Sequence, residues 1–119
     1  MNKAFDKIAL IQGMIAAAFV SEEGKLCGWC ANSAISPDNL FFIARTCSVI
    51  LSANRAEQRP AQSGTVAFGE RTLVFREGDA GLFMAYLDSP TNEAVMTWLW
   101  EQVNPLLEAE GIKFEQPAA

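Results

Sequence analysis

Two cysteines three residues apart, in Cys27-Gly28-Trp29-Cys30, form the sharpest chemical motif in this 119-residue chain. A C-x-x-C pair can act as a redox dithiol or as half of a zinc site. A structural zinc site needs four soft or borderline ligands, and only Cys47 remains as a third cysteine in a chain without histidine. A redox dithiol wants its first cysteine at a helix N-terminus, where the dipole lowers the thiol pKa. Here the pair falls within a strand-like run, and the next helix begins only near Pro37. Residues three apart on a strand point to opposite faces. Structural thiols are therefore the favoured reading, ahead of a thiol oxidoreductase using Cys27 and Cys30.

The rest of the chain offers little to a catalyst. The lack of histidine removes the commonest general base and the commonest metal ligand. Gly78-Asp79-Ala80-Gly81 lies between strand-like runs, so a phosphate there would meet no helix dipole. The carboxylates are scattered, and Glu22-Glu23 occupies a turn. No catalytic residue, cofactor site or metal site is expected. The net charge of −5 disfavours binding to a phosphate backbone, so no nucleic-acid partner is expected. No apolar run is long enough to span a bilayer. Ile8 to Val20 resembles a signal-peptide core, but Asp6 sits in the would-be basic region and Gln12-Gly13 interrupts the run. An odd cysteine count does not suggest a secreted disulfide scaffold, which leaves the cytoplasm as the expected compartment.

The elements that hold these residues can be read in order. Residues 1–119 suffice for one domain with one core. Asn2 to about Gln12 reads as a helix, with Ala4, Phe5, Ile8 and Ile11 on one face. Met14 to Val20 is apolar without alternation, the pattern of a strand covered on both faces. A Glu-Glu-Gly turn returns Lys25 to Ala31 as the second arm of a hairpin. After a long helix come three strands: Thr65 to Phe68, Thr72 to Arg76 and Leu82 to Leu87. The first two alternate, with Val66 and Phe68, then Leu73 and Phe75, on one side. The third is apolar on both faces. The two doubly apolar strands should lie side by side in the middle of the sheet, with Thr65 to Phe68 at an edge. Asn92 opens a last helix running to about Glu110, and Ile112 to Ala119 should form a frayed tail. In that helix Val95, Trp98, Leu99, Leu106 and Ala109 share a face, and Met96, Trp100, Val103 and Leu107 beside them widen the apolar arc to about 200°; both Trp98 and Trp100 are expected to cover the sheet.

The long helix, Ser36 to Arg59, opens with an N-cap serine, Pro37 at the first position and Asp38 in the first turn. At about 100° per residue Leu40, Ile43, Ala44, Cys47, Ile50 and Leu51 form a core stripe. Phe42, Thr46, Val49 and Ala53 fall nearly opposite. A helix in so short a chain needs only one apolar face, so the second set points to a partner. Phe41, Arg45, Ser48, Ser52 and Arg55 form a further outward group, apolar and positive on an acidic protein, suited to an acidic partner surface.

Taken together, these elements resemble a bacterial Roadblock / dynein light-chain domain. The resemblance rests on the opening helix ending at Gly13, the run Met14 to Val20, the hairpin closed by Gly24 and the long helix followed by Gly64. It extends through the edge strand and meander to Leu87 and the helix opened by Asn92, and so covers nearly the whole chain. The Ala-rich first strand ending Ser-Glu-Glu-Gly departs from it, and so does the Trp98–Trp100 pair. The resemblance implies an α/β fold, a profilin-like α+β sandwich. Its five-stranded antiparallel sheet would carry two helices on one face and the long helix on the other. It implies a homo- or heterodimer, with Phe42, Thr46, Val49, Ala53 and the strand residues Thr65, Val66, Ala67 and Phe68 at the dimer interface. It also implies a non-catalytic module that binds a Ras-like small GTPase, as activator or scaffold, with all chemistry in the GTPase. A structural adaptor subunit without a GTPase is the alternative.

Overall fold

The computed structural model describes residues 2–21, 23, 25–31, 36, 38–39, 42–43, 45–46, 49, 63–78 and 81–112; within these, the side chains of Asn2, Ser63, Val66 and Phe68 are not described. Its elements are α1 (Asn2–Ile8), β1 (Met14–Ser21), β2 (Leu26–Ala31), β3 (Ser63–Phe68), β4 (Arg71–Gly78), β5 (Gly81–Leu87) and α2 (Glu93–Glu108). The backbone is also helical at Asp38, Asn39, Phe42, Ile43, Arg45, Thr46 and Val49. The strands form one antiparallel sheet in the order β2-β1-β5-β4-β3. The two doubly apolar strands are thus neighbours at its centre, and β3 lies at one edge, as their hydropathy patterns require.

The register splits the strand residues between two cores. Ala17, Phe19, Val74, Phe83 and Ala85 point to the face covered by α1 and α2, where they meet Phe5, Ile8, Leu99, Val103 and Leu107. Ala16, Ala18, Val20, Leu73 and Met84 point the other way, where Ile43 packs on them. The sheet is therefore sandwiched, with α1 and α2 on one face and helical residues of the 38–49 segment on the other. Ala16, Ala17 and Ala18 are wholly buried. Small side chains in a central strand let helices on both faces approach closely while interior packing density is kept.

Several boundaries differ from the sequence expectation. The first helix ends at Ile8 and does not reach Gln12. Beyond it Leu10 and Ile11 donate to Lys7 and Ile8, three residues back, and Met14 donates to Ile11. These tight turns reverse the chain into β1. The ladder carries β3 back to Ser63 and β4 on to Gly78, because Ser63 pairs with Arg76 and Gly78 with Gly81. Ile112 is buried and belongs to the core, not to a frayed tail. It closes α2 as a Schellman motif: Ile112 N–H donates to Leu107 at 3.0 Å and Gly111 N–H to Glu108 at 2.9 Å, with Gly111 at φ +83°. The expected connection through Asp79 and Ala80, the connector Asn32 to Ile35 and residues 113–119 lie outside the described residues.

The larger correction concerns α2. Its buried stripe is Leu99, Val103 and Leu107, flanked by Met96 and Trp100. Val95, Trp98 and Ala109 face outward. Both arcs have helical spacing, and the sheet selects the one that meets Phe83 and Arg76. Trp100 packs edge-on to Phe83 at 5.7 Å between ring centroids. It also lies beneath the Arg76 guanidinium at 5.3 Å, an attraction that offsets part of the cost of burying that cation. Burial pushes the Arg76 pKa below its ordinary value.

Gly81 starts β5 at φ +145°, and a Cβ there would collide with the Val20 carbonyl oxygen and the Ser21 backbone. Gly69, at φ +63°, has open space around it. Gly81→Ala should therefore cost on the order of 2–4 kcal/mol, against about 1 kcal/mol for Gly69→Ala. Urea unfolding of the two variants should show this order, and equal costs would contradict the close β1–β5 approach.

Candidate interaction surface

The surface begins at a helix start. Ser36 Oγ accepts from the Asn39 N–H at 3.2 Å, the N-cap geometry expected from Ser36-Pro37-Asp38. One turn on, Ile43 packs into the sheet, which turns its neighbours outward. Phe42 is 72% exposed and Val49 63%. Thr46, between them in the stripe, is exposed, and its hydroxyl donates to the Phe42 carbonyl at 2.9 Å. That bond satisfies the hydroxyl locally, so it can enter an apolar contact at little cost. Arg45 is exposed, three residues beyond Phe42 and four before Val49, so it borders the same stripe.

The β3 edge provides the second component. Its inner side pairs with β4 from Ser63↔Arg76 to Phe68↔Arg71. Among the described residues no strand pairs with its outer side. Thr65 and Ala67 are exposed, and neither lysine nor proline blunts the strand. Of the sequence candidates, Phe42, Thr46, Val49, Arg45, Thr65 and Ala67 are described and exposed. Val66 belongs to the strand, as does Phe68, with no side chain described. Ala53, Phe41, Ser48, Ser52 and Arg55 lie outside the described residues.

The cysteines are separated by their strand. Between Phe19↔Gly28 and Val20↔Leu26 the register slips, so Cys27 is the extra residue of a bulge on edge strand β2. Cys27 is exposed, and its thiol donates to the Lys25 carbonyl at 3.5 Å. Cys30 is half-buried against the α1–α2 core opposite Ala17. Both thiols are free. Burial pushes the Cys30 pKa up to about 11, the reverse of what an attacking thiolate needs. Among the described residues no group of three His, Cys, Asp or Glu could hold a metal ion. No described helix is long and apolar enough to cross a membrane.

Sequence reasoning missed four exposed apolar side chains: Leu10 at 84%, Trp29 at 44%, Trp98 at 43% and Val95 at 36% exposure. For Trp98 a signal existed. An arc centred on Val103 places Met96, Leu99, Trp100 and Leu107 within about 60° of it and Trp98 nearly opposite.

A raised thiol pKa favours the neutral form in the folded state. Its contribution to stability is complete below the unfolded pKa near 9 and is lost as pH rises through about 11. Urea midpoints measured from pH 8 to 11 should fall more steeply for the wild type than for Cys30→Ala. Neither protein should catalyse insulin reduction; turnover that disappears with Cys30 would restore the redox reading.

No protein-family model matches the chain, and neither does any curated protein. Solved structures do match. A Roadblock/LC7 domain from Streptomyces avermitilis superposes with a TM-score of 0.69 at 15% identity, over 92% of this chain and 92% of that one. The gliding protein MglB from Thermus thermophilus gives a TM-score of 0.66 at 16% identity, over 90% of this chain and 87% of that one. An MglB structure with a tetrameric arrangement gives the same values, 0.66 and 16%, over 90% and 87%. The chain has the Roadblock/LC7 fold.

Proposed function

We propose that this Roadblock/LC7 chain is a dimeric regulatory module of the cytoplasm that binds a Ras-like small GTPase and modulates its activity or location. It would act as one unit across residues 1–119, binding no nucleotide and supplying no catalytic group. The observation that carries this reading is the exposure of Phe42 and Val49 on helical turns whose neighbour Ile43 is already committed to the sheet. Leaving such side chains in water forgoes roughly 1.5–3 kcal/mol each. The β3 edge adds unpaired backbone groups to the available surface. A second copy contacting the first about a two-fold axis is the commonest way to cover such a surface. The likeness to MglB supports self-association, since one MglB structure has a tetrameric arrangement.

The dimer is tested by light scattering at about 10–50 µM, concentrations that capture transient affinities. Wild type should scatter as a dimer and Val49→Asp as a monomer, because the new carboxylate would be buried without a partner. A monomeric wild type would count against the interface.

The GTPase is tested by co-purification with each Ras-like GTPase of the source genome, loaded with GTP or GDP. Arg45→Glu should abolish capture and leave the dimer intact. Reversing an interfacial charge that faces an acidic surface costs several kcal/mol, or a loss of at least about a hundredfold. If no GTPase binds in either state, the fold serves as a structural adaptor.

A further inference from the structure

We infer that the outward face of α2 around Trp98 is a second docking site, for a cationic amphipathic segment of another protein. This face lies across the sheet from Phe42 and Val49, so the site is independent of the function proposed above. With Leu99, Val103 and Leu107 turned to the core, α2 presents Trp98 and Val95 at 43% and 36% exposure. Ala94, Pro105 and Ala109 are exposed beside them, continuing an uncharged stripe along the helix. Leu10 emerges at the same end of the sheet as the start of α2: three residues after it, the Gly13 carbonyl accepts from the Asp88 N–H, just before the Asn92 N-cap.

The charges beside the stripe select the occupant. Glu93, Glu101 and Glu108 are the only charged side chains of α2, all exposed, and no lysine or arginine occurs in the helix. Glu101 and Glu108 are seven residues apart, two turns along one flank of the stripe. A helix with an apolar face and lysines or arginines at matching two-turn spacing meets Trp98 and both carboxylates together. The net charge of −5 steers such a cation toward the chain. A second copy fits less well: antiparallel two-fold packing through the stripe sets the same acidic flanks against each other. An anionic lipid surface would be repelled by the same flank.

The test uses the full chain and a fluorescein-labelled synthetic Leu/Lys peptide of about four helical turns, followed by anisotropy. The controls are a Leu/Glu peptide of the same pattern and a scrambled Leu/Lys peptide. Saturable binding by the patterned Leu/Lys peptide alone, weakening with salt, is expected. Trp98→Ser, and separately Glu101→Lys with Glu108→Lys, should each reduce affinity at least about tenfold, while Val49→Asp and Arg45→Glu leave it unchanged. Circular dichroism verifies that each variant is folded, and the charge-reversed pair serves if Trp98→Ser is not. Absence of saturable binding, equal binding by either control peptide, or full affinity in both folded variants overturns the site. So does a wild-type assembly in light scattering that Trp98→Ser shrinks, which assigns the face to a second copy. Vesicle binding lost in Trp98→Ser assigns it to lipid and overturns the site as well.

Discussion

Burial of β1 and β5 on both faces is the constraint on which the rest of the molecule depends. Seven of the eight β1 residues are buried, as are six of the seven in β5. A strand pair without a wet face cannot lie at a sheet edge and must be covered by helices on both sides. The order β2-β1-β5-β4-β3 and the division of the core into two clusters follow from it. The Ala16-Ala17-Ala18 run makes this burial compatible with close helices, and Gly81 makes it compatible with close backbones.

The same constraint creates the surfaces available for binding. With two central strands fixed, β2 and β3 become the edges. The β2 edge is interrupted by the Cys27 bulge, a feature that disfavours pairing with another chain, whereas the β3 ladder is regular. On the helical side, Ile43 serves as the anchor into the sheet. Once it is packed, Phe42, Thr46 and Val49 have no further apolar surface of their own domain to meet among the described residues. Cys27, the bulge residue, lies in solvent while Cys30 packs against the α1 and α2 core.

α2 packs its aliphatic stripe and a tryptophan against the sheet beside one buried cation. Arg76 points inward from β4 because β4 is pleated and its alternate residues Thr72 and Val74 already face that core. Thr72 is satisfied by the Ser89 carbonyl at 3.0 Å. Arg76 meets the Trp100 ring on the side of α2 whose Leu99, Val103 and Leu107 are buried, and Trp98 is left outside.

Much of this is legible in the residues. The unbroken apolar runs of β1 and β5 mark the centre of the sheet, because burial on both faces removes alternation. Asn92 marks the start of α2, through a side-chain oxygen that accepts from the Val95 N–H at 2.9 Å. The Phe42-Thr46-Val49 spacing marks residues that are all exposed beside the packed Ile43. The C-x-x-C motif reads as structural because a strand cannot lower a thiol pKa as a helix N-terminus does. What the sequence could not decide was the rotation of α2, whose apolar arc is wide enough for two burial stripes, or the tight turns that end α1 at Ile8. Those depend on Phe83, Arg76 and the path into β1, contacts between residues distant in sequence, which exist only once the sheet has formed.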